Sequence, residues 1–95
     1  MRTMLRVQIP AERGNVAIKN GKLPEVMKQV LDKWKPEAAY FFSLDGKRTA
    51  LFVLDLKDPS QIPLLAEPFF IELNAEVQLT PVMNAEDLMK GLSQM

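Results

Sequence analysis

The feature that most constrains the fold is a pair of apolar runs in the middle of the chain, separated by a turn signal. Residues 40–42 (Tyr-Phe-Phe) and 50–54 (Ala-Leu-Phe-Val-Leu) read as two strands, and Asp45-Gly46-Lys47 between them is typical of a β-hairpin turn. A hairpin with one solvent-exposed face alternates apolar and polar residues, whereas these two strands are apolar on both faces. We therefore expect both faces of this hairpin to be buried.

A short chain can cover only one of these faces with its own helices. The 95 residues are expected to form one domain over residues 1–95. Its core should be modest, because a chain of this length buries about 60–65% of its unfolded surface. Hydrophobic residues nevertheless make up 47% of the sequence. The second face then needs a partner, and the simplest candidate is a second copy. The sequence predicts a homodimer that forms through the sheet face.

Composition excludes several kinds of chemistry. The sequence has no cysteine and no histidine, which excludes thiol nucleophiles, Ser-His-Asp chemistry and zinc sites built from Cys and His. We therefore expect no metal and no cofactor. Twelve basic residues balance twelve acidic ones, so a nucleic-acid partner is not expected. No segment resembles a signal peptide or a membrane span, which predicts a cytoplasmic protein without a membrane partner.

The predicted elements follow the order β-α-β-β-α-β with an extra C-terminal helix. Alternation predicts the first strand over residues 5–9 and the last over residues 76–82. Helices are predicted over residues 11–20, 24–35 and 62–73, and Pro68 should kink or break the last of these. Asn84 and Asp87 have the spacing of a capping box that opens the C-terminal helix. This order predicts an α+β, ferredoxin-like fold with a four-stranded antiparallel sheet.

Four segments carry a resemblance to a known family: residues 35–41 (Lys-Pro-Glu-Ala-Ala-Tyr-Phe), 45–50 (Asp-Gly-Lys-Arg-Thr-Ala), 66–70 (Ala-Glu-Pro-Phe-Phe) and 79–88 (Leu-Thr-Pro-Val-Met-Asn-Ala-Glu-Asp-Leu). They resemble small bacterial proteins of uncharacterised function in the dimeric α+β barrel superfamily. The resemblance implies two sheets packed face to face. That superfamily includes cofactor-free monooxygenases, haem-degrading monooxygenases, muconolactone isomerases and proteins that only bind small molecules. Haem-degrading members rely on a histidine or a similar ligand, and this sequence has no histidine.

Two residues on predicted strands are candidates for contact with a ligand. Arg6 shares a strand face with Met4 and Gln8, where it could hold a carboxylate through paired hydrogen bonds. An interface salt bridge or a solvated sheet edge is the alternative for this arginine. Tyr40 is expected at the start of a buried strand, where its hydroxyl could donate to a ligand or act as an acid. The alternative is a ring that packs in the core and a hydroxyl bonded to backbone.

Glu67 is the candidate with the most unusual neighbours, because Pro68, Phe69 and Phe70 follow it in the sequence. A carboxylate in such a setting would be desolvated, as a general base often is, unless it faces water or pairs with Arg48. Asn15, Lys19 and Asn20 of the first helix could also converge over a pocket mouth, and solvated surface is the alternative for them. The catalytic candidates are Glu67 and Tyr40, and the candidates for ligand binding are Arg6, Asn15, Tyr40, Glu67 and Phe70.

The sequence thus favours a homodimeric module that binds a small apolar molecule. The alternative is an enzyme that resembles a cofactor-free monooxygenase or a muconolactone isomerase, with Glu67, Tyr40 and Arg6 as its acid–base and anchoring groups. The two hypotheses place Glu67 differently. A closed pocket that brings Glu67 near Tyr40 or Arg6 would favour the enzyme, whereas an exposed Glu67 would favour the binding module.

Overall fold

A four-stranded antiparallel sheet carries three helices on one of its faces. The computed structural model describes residues 1–95. The sheet order β2-β3-β1-β4 and its antiparallel pairing fit the ferredoxin-like arrangement predicted from the sequence. The elements are β1 (Arg2–Ile9), α1 (Ala11–Lys19), α2 (Lys22–Trp34), β2 (Ala38–Leu44), β3 (Lys47–Asp55), a 3-10 turn (Pro59–Gln61), α3 (Ile62–Leu73), β4 (Glu76–Pro81) and α4 (Ala85–Ser93).

The central hairpin forms as predicted, because its turn residues tolerate left-handed backbone. Asp45 has φ 55° and Gly46 has φ 73°. Two positive φ angles in a two-residue loop define a type I′ turn, whose twist matches that of the flanking strands. Leu44 pairs with Lys47 across the turn, and the ladder continues to Ala38 opposite Val53.

The core lies between the helices and one face of the sheet. Alternation along each strand sends every second side chain toward the helices. A single cluster results, which draws on the strand residues Leu5, Val7, Ile9, Ala50, Phe52 and Leu54 and on the helix residues Ala17, Val26, Val30, Leu65, Phe69 and Leu73. Only 18 of the 95 residues are buried, so the core is as modest as the chain length predicts.

Helix α3 runs through Pro68 without interruption, so a predicted break at this residue is wrong. Proline inside a helix removes one backbone hydrogen bond and costs about 3 kcal/mol. Four residues of α3 are buried against the sheet and α2, and this packing offsets the cost. They are Leu65, Ala66, Phe69 and Leu73.

Helix α4 begins at the predicted capping box but does not pack on the core. The Asn84 side chain accepts a hydrogen bond from the Asp87 N–H at 2.8 Å, and Asp87 Oδ2 accepts one from the Asn84 N–H at 3.1 Å. Every residue of α4 is exposed, including the apolar stripe of Leu88, Met89 and Leu92. None of the helices in this protein combines the length and the apolar composition needed to cross a bilayer.

Replacement of Phe52 by aspartate should abolish the fold. The side chain is fully buried on β3, so the new carboxylate would lose its hydration without gaining a partner. That costs several kcal/mol, comparable with the whole stability of a small domain. Thermal melting followed by circular dichroism should show no cooperative transition, whereas Asn20→Asp, at an exposed position between α1 and α2, should melt like wild type. A cooperative native melt for Phe52→Asp would contradict the assigned core.

Candidate functional site

The face of the sheet opposite the helices has no cover, and we call it the open face. Helices α1, α2 and α3 contribute to the core on the other side, and α4 is exposed along its length. The shortest dimension of the molecule, 17 Å, fits one sheet and one helix layer. The strand registers place these residues on the open face: Ala38, Tyr40, Phe42 and Leu44 of β2, Thr49, Leu51 and Val53 of β3, Met4, Arg6 and Gln8 of β1, and Glu76, Gln78 and Thr80 of β4.

The open face has an apolar half and a polar half. Strands β2 and β3 supply the apolar half, where Tyr40 is 63% exposed and Phe42 is 42% exposed. Leu51 and Val53 lie beside them and are half-buried. Strands β1 and β4 supply the polar half, which contains a cavity of about 360 Å³. Four polar residues line this cavity: Arg6, Gln8, Glu76 and Gln78.

Two of the sequence-predicted candidates share one row across the sheet. Tyr40 lies opposite Leu51, Leu51 lies opposite Arg6, and Arg6 lies opposite Gln78. Neighbouring strands are about 4.8 Å apart, so the backbones of Tyr40 and Arg6 are separated by about 10 Å. A small molecule that contacts Arg6 can therefore reach the Tyr40 side chain across Leu51.

Arg6 is the one arginine of the chain whose side chain has no partner. Arg2 pairs with Glu37 at 2.6 Å, Arg13 donates to the Glu72 carbonyl at 3.1 Å, and Arg48 donates to Asn15 at 3.0 Å. No hydrogen bond or ion pair within the chain involves the Arg6 guanidinium, although the residue is half-buried. Its donors are therefore free to bind a molecule from outside the chain.

Gln8 is held in place beside this arginine. Its Nε2 donates to the Leu44 carbonyl at 3.0 Å, and the residue is 9% exposed. The bond fixes the amide across β3, at the end of the central hairpin. The sequence-based candidates omit Glu76 and Gln78, the other two residues of the cavity. The alternation of β4 signals that they share a face, but only the sheet order shows that this face adjoins Arg6.

The structure places Glu67 and Phe70 away from the open face. Both lie on α3, where Leu65, Ala66 and Phe69 turn toward the core and Glu67 faces solvent. Glu67 lines an exposed groove between α2 and α3, and Phe70 is 43% exposed. The sheet and the core therefore separate both residues from Arg6 and Tyr40.

Asn15 has a different neighbour from the one that a pocket mouth would require. Its Oδ1 accepts from Arg48 Nη2 at 3.0 Å, and Arg48 Nη1 also donates to the Ala11 carbonyl at 3.4 Å. These bonds tie helix α1 to strand β3. The suggested pairing of Arg48 with Glu67 does not form.

A larger cavity, of about 660 Å³, lies at one end of the sheet, but its charges are already paired. Arg2 binds Glu37 at 2.6 Å and Asp87 at 3.4 Å, and the hydrogen bond that Arg2 donates to Glu37 raises the pKa of Arg2. Asp55 accepts from the N-terminal amine at 2.7 Å, which lowers the pKa of its carboxyl. Because each of these ions already has a partner, the cavity beside Arg6 is the better candidate for binding a ligand.

Comparison with known proteins does not assign the chain to a family. No protein-family model matches the sequence, and the search of curated proteins finds no match. The ferredoxin-like fold is therefore supported by the sheet order and pairing alone. Membership of the dimeric α+β barrel superfamily stays a prediction.

Replacement of Gln8 by leucine should lower the free energy of unfolding by about 1 kcal/mol, the usual net contribution of one hydrogen bond. Gln29→Leu is the matched control, because Gln29 is exposed on α2, away from the open face. Its effect should stay within about 0.5 kcal/mol, as at other surface positions. Urea titration followed by circular dichroism measures both. Equal stabilities of the two variants would show that the bond to Leu44 contributes nothing.

Proposed function

We propose that this protein is a homodimeric module that binds a small, largely apolar molecule with a carboxylate group. In this arrangement the open face of one copy packs against the open face of the other, and Arg6 holds the carboxylate. The observation that carries the proposal is the unpartnered guanidinium of Arg6, half-buried in the middle of the sheet and beside a polar cavity.

The apolar half of the open face supports the dimer. Tyr40 and Phe42 are large, exposed and adjacent to Leu51 and Val53, so their burial is favourable by about 25 cal/mol for each Å² removed from water. A two-fold axis buries the same patch on both copies, which makes the interface isologous.

The size of the sheet also bears on the dimer. Four strands spaced about 4.8 Å apart, with eight residues in β1, give a footprint of roughly 500 Å². A stable interface usually buries about 800 Å² on each partner. The exposed apolar stripe of α4 supplies further surface, and a nine-residue helix is marginal in water without a partner. We therefore include α4 in the proposed interface.

The same interface creates the need for a ligand. A second copy laid over the whole open face would remove Arg6 from water, and a buried charge without a partner costs several kcal/mol. A carboxylate neutralises a guanidinium through two parallel hydrogen bonds, the strongest pairing open to it. Gln78 can add an amide donor, and Tyr40 offers an aromatic ring for the rest of the molecule. Glu76 is the competing partner for Arg6, either from the same chain, where it lines the same cavity, or from the second copy.

The enzyme alternative stays a prediction without such support. Its predicted base, Glu67, faces solvent on the opposite side of the molecule from Tyr40 and Arg6, and the carboxylate beside Arg6 is instead that of Glu76. The predicted set of Glu67, Tyr40 and Arg6 therefore does not assemble on the open face.

Replacement of Leu51 by lysine should prevent association through the open face while the chain stays folded. Leu51 is adjacent to Phe52 in the sequence but points to the opposite face, where a monomer leaves it partly in water. In the dimer the new ammonium would be desolvated next to Arg6, a like charge. Sedimentation velocity should show half the mass of the wild-type species at unchanged circular dichroism. Gln29→Lys, at an exposed site of α2, controls for the added charge, and an unaltered mass for Leu51→Lys would refute the interface.

Replacement of Arg6 by glutamine should remove the ligand but keep the assembly. Native mass spectrometry of unfused protein should report a co-purified anionic molecule for wild type, and the same assembly without that molecule for Arg6→Gln. Arg13→Gln is the matched control, since Arg13 donates to the Glu72 carbonyl on the helix side of the sheet. If the purified wild type is empty, NMR titration should show binding of benzoate but not of benzamide at the Arg6 and Gln78 amides. Loss of the dimer instead would indicate that Glu76 of the second copy neutralises Arg6.

A further inference from the structure

The outer edge of β2 lacks the residues that usually prevent an edge strand from pairing with another chain. The sheet order makes β2 and β4 the two edge strands, and an edge strand exposes backbone groups that can pair with another chain. Natural edges are usually protected by charged residues or proline. Strand β4 has both, in Glu76 and Pro81. Strand β2 has neither over its seven residues, Ala-Ala-Tyr-Phe-Phe-Ser-Leu.

The turn geometry shows which backbone groups of β2 point outward. In a type I′ hairpin the two residues that flank the turn, here Leu44 and Lys47, exchange both hydrogen bonds. Hydrogen-bonded and non-hydrogen-bonded positions then alternate along the strand. The outward N–H and C=O groups of β2 therefore belong to Ala39, Phe41 and Ser43.

The residues around these free groups are self-complementary about Phe41. We propose that β2 pairs antiparallel with β2 of a second copy, about a two-fold axis through Phe41. Phe41 then faces its own copy, Tyr40 faces Phe42 on the open face, and Ala39 faces Ser43 on the helix face. Every outward backbone group gains a partner, aromatic residues meet aromatic residues, and the small residues meet each other.

Exposure of the three aromatic residues supports a partner at this edge. Tyr40 is 63% exposed, Phe41 56% and Phe42 42%, so consecutive aromatic side chains are exposed to solvent on both faces of one strand. The pairing would join two four-stranded sheets into one continuous sheet with both open faces on the same side. Each chain has a single β2 edge, so this contact closes after two copies and does not grow. It is independent of the proposed packing of open faces, and the two contacts together give an assembly larger than a dimer.

A charge swap at Phe41 tests the pairing and its register. Phe41→Lys and Phe41→Glu each place like charges opposite one another at the two-fold axis, which is destabilising. Sedimentation velocity should report half the wild-type mass for each variant alone. An equimolar mixture should regain the wild-type mass, because lysine then faces glutamate. Wild-type mass for either variant alone, or a mixture that stays at half mass, would overturn the pairing.

A second variant is needed because substitution of Phe41 removes its ring from Phe52, with which its centroid separation is 5.8 Å, and can disturb the fold. Ser43→Pro removes one outward N–H and leaves Phe41 in place, so it should also halve the mass. Ser43→Ala keeps the N–H and should sediment like wild type. Equal masses for the proline and alanine variants would refute the edge contact. A different outcome would refute the open-face dimer alone. Wild type would then contain two copies joined at β2, Phe41→Lys would yield a single folded chain, and Leu51→Lys would not change the mass.

Discussion

The aromatic packing around Phe52 is the interaction on which the rest of the structure depends. Its ring meets Phe41 of β2 edge-on, with centroids 5.8 Å apart, and lies 6.3 Å from Phe69 of α3. One side chain therefore connects the edge strand, a central strand and a helix. Because successive strand residues point to opposite faces, a core-facing Phe52 forces Leu51 and Val53 onto the open face. A slip of one residue in register would exchange the two faces, so this packing also determines where Arg6 lies.

Features with local physical causes were predictable from the sequence. The Asp45-Gly46 turn needs positive φ, the Asn84 capping box satisfies two backbone donors, and strand alternation assigns each residue to a face. Alternation placed Arg6 correctly on one strand face with Met4 and Gln8. The position of β2 within the sheet is not local, because it depends on the order in which distant strands pair. Tyr40 was expected at the start of a buried strand, and it is instead exposed on an edge strand.

The orientation of Glu67, which the sequence left open, has a different physical cause. Helix α3 is apolar over most of its surface, with Leu64, Phe70 and Ile71 exposed in addition to its buried residues. A helix without a clear polar face does not reveal from sequence which side packs inward. Packing of Leu65 and Phe69 against the sheet determines the rotation of the helix and turns Glu67 to solvent. The face of each strand residue was thus predictable from alternation, while the neighbours of Arg6 on other strands required the sheet order, and the orientation of Glu67 required the tertiary contacts.

The open face combines two surfaces with opposite preferences. Burial of its apolar half by a second copy lowers the free energy, whereas burial of the Arg6 guanidinium by the same copy costs hydration. An anion bound to Arg6 would remove that conflict, because the neutral pair is less costly to bury than the lone charge. Ligand binding and association through the open face would then be coupled, and thermodynamic linkage makes such coupling reciprocal. The ligand would tighten the dimer by the same factor by which the dimer raises affinity for the ligand. The edge of β2 contains no charge to neutralise, so pairing there would not respond to the ligand in this way.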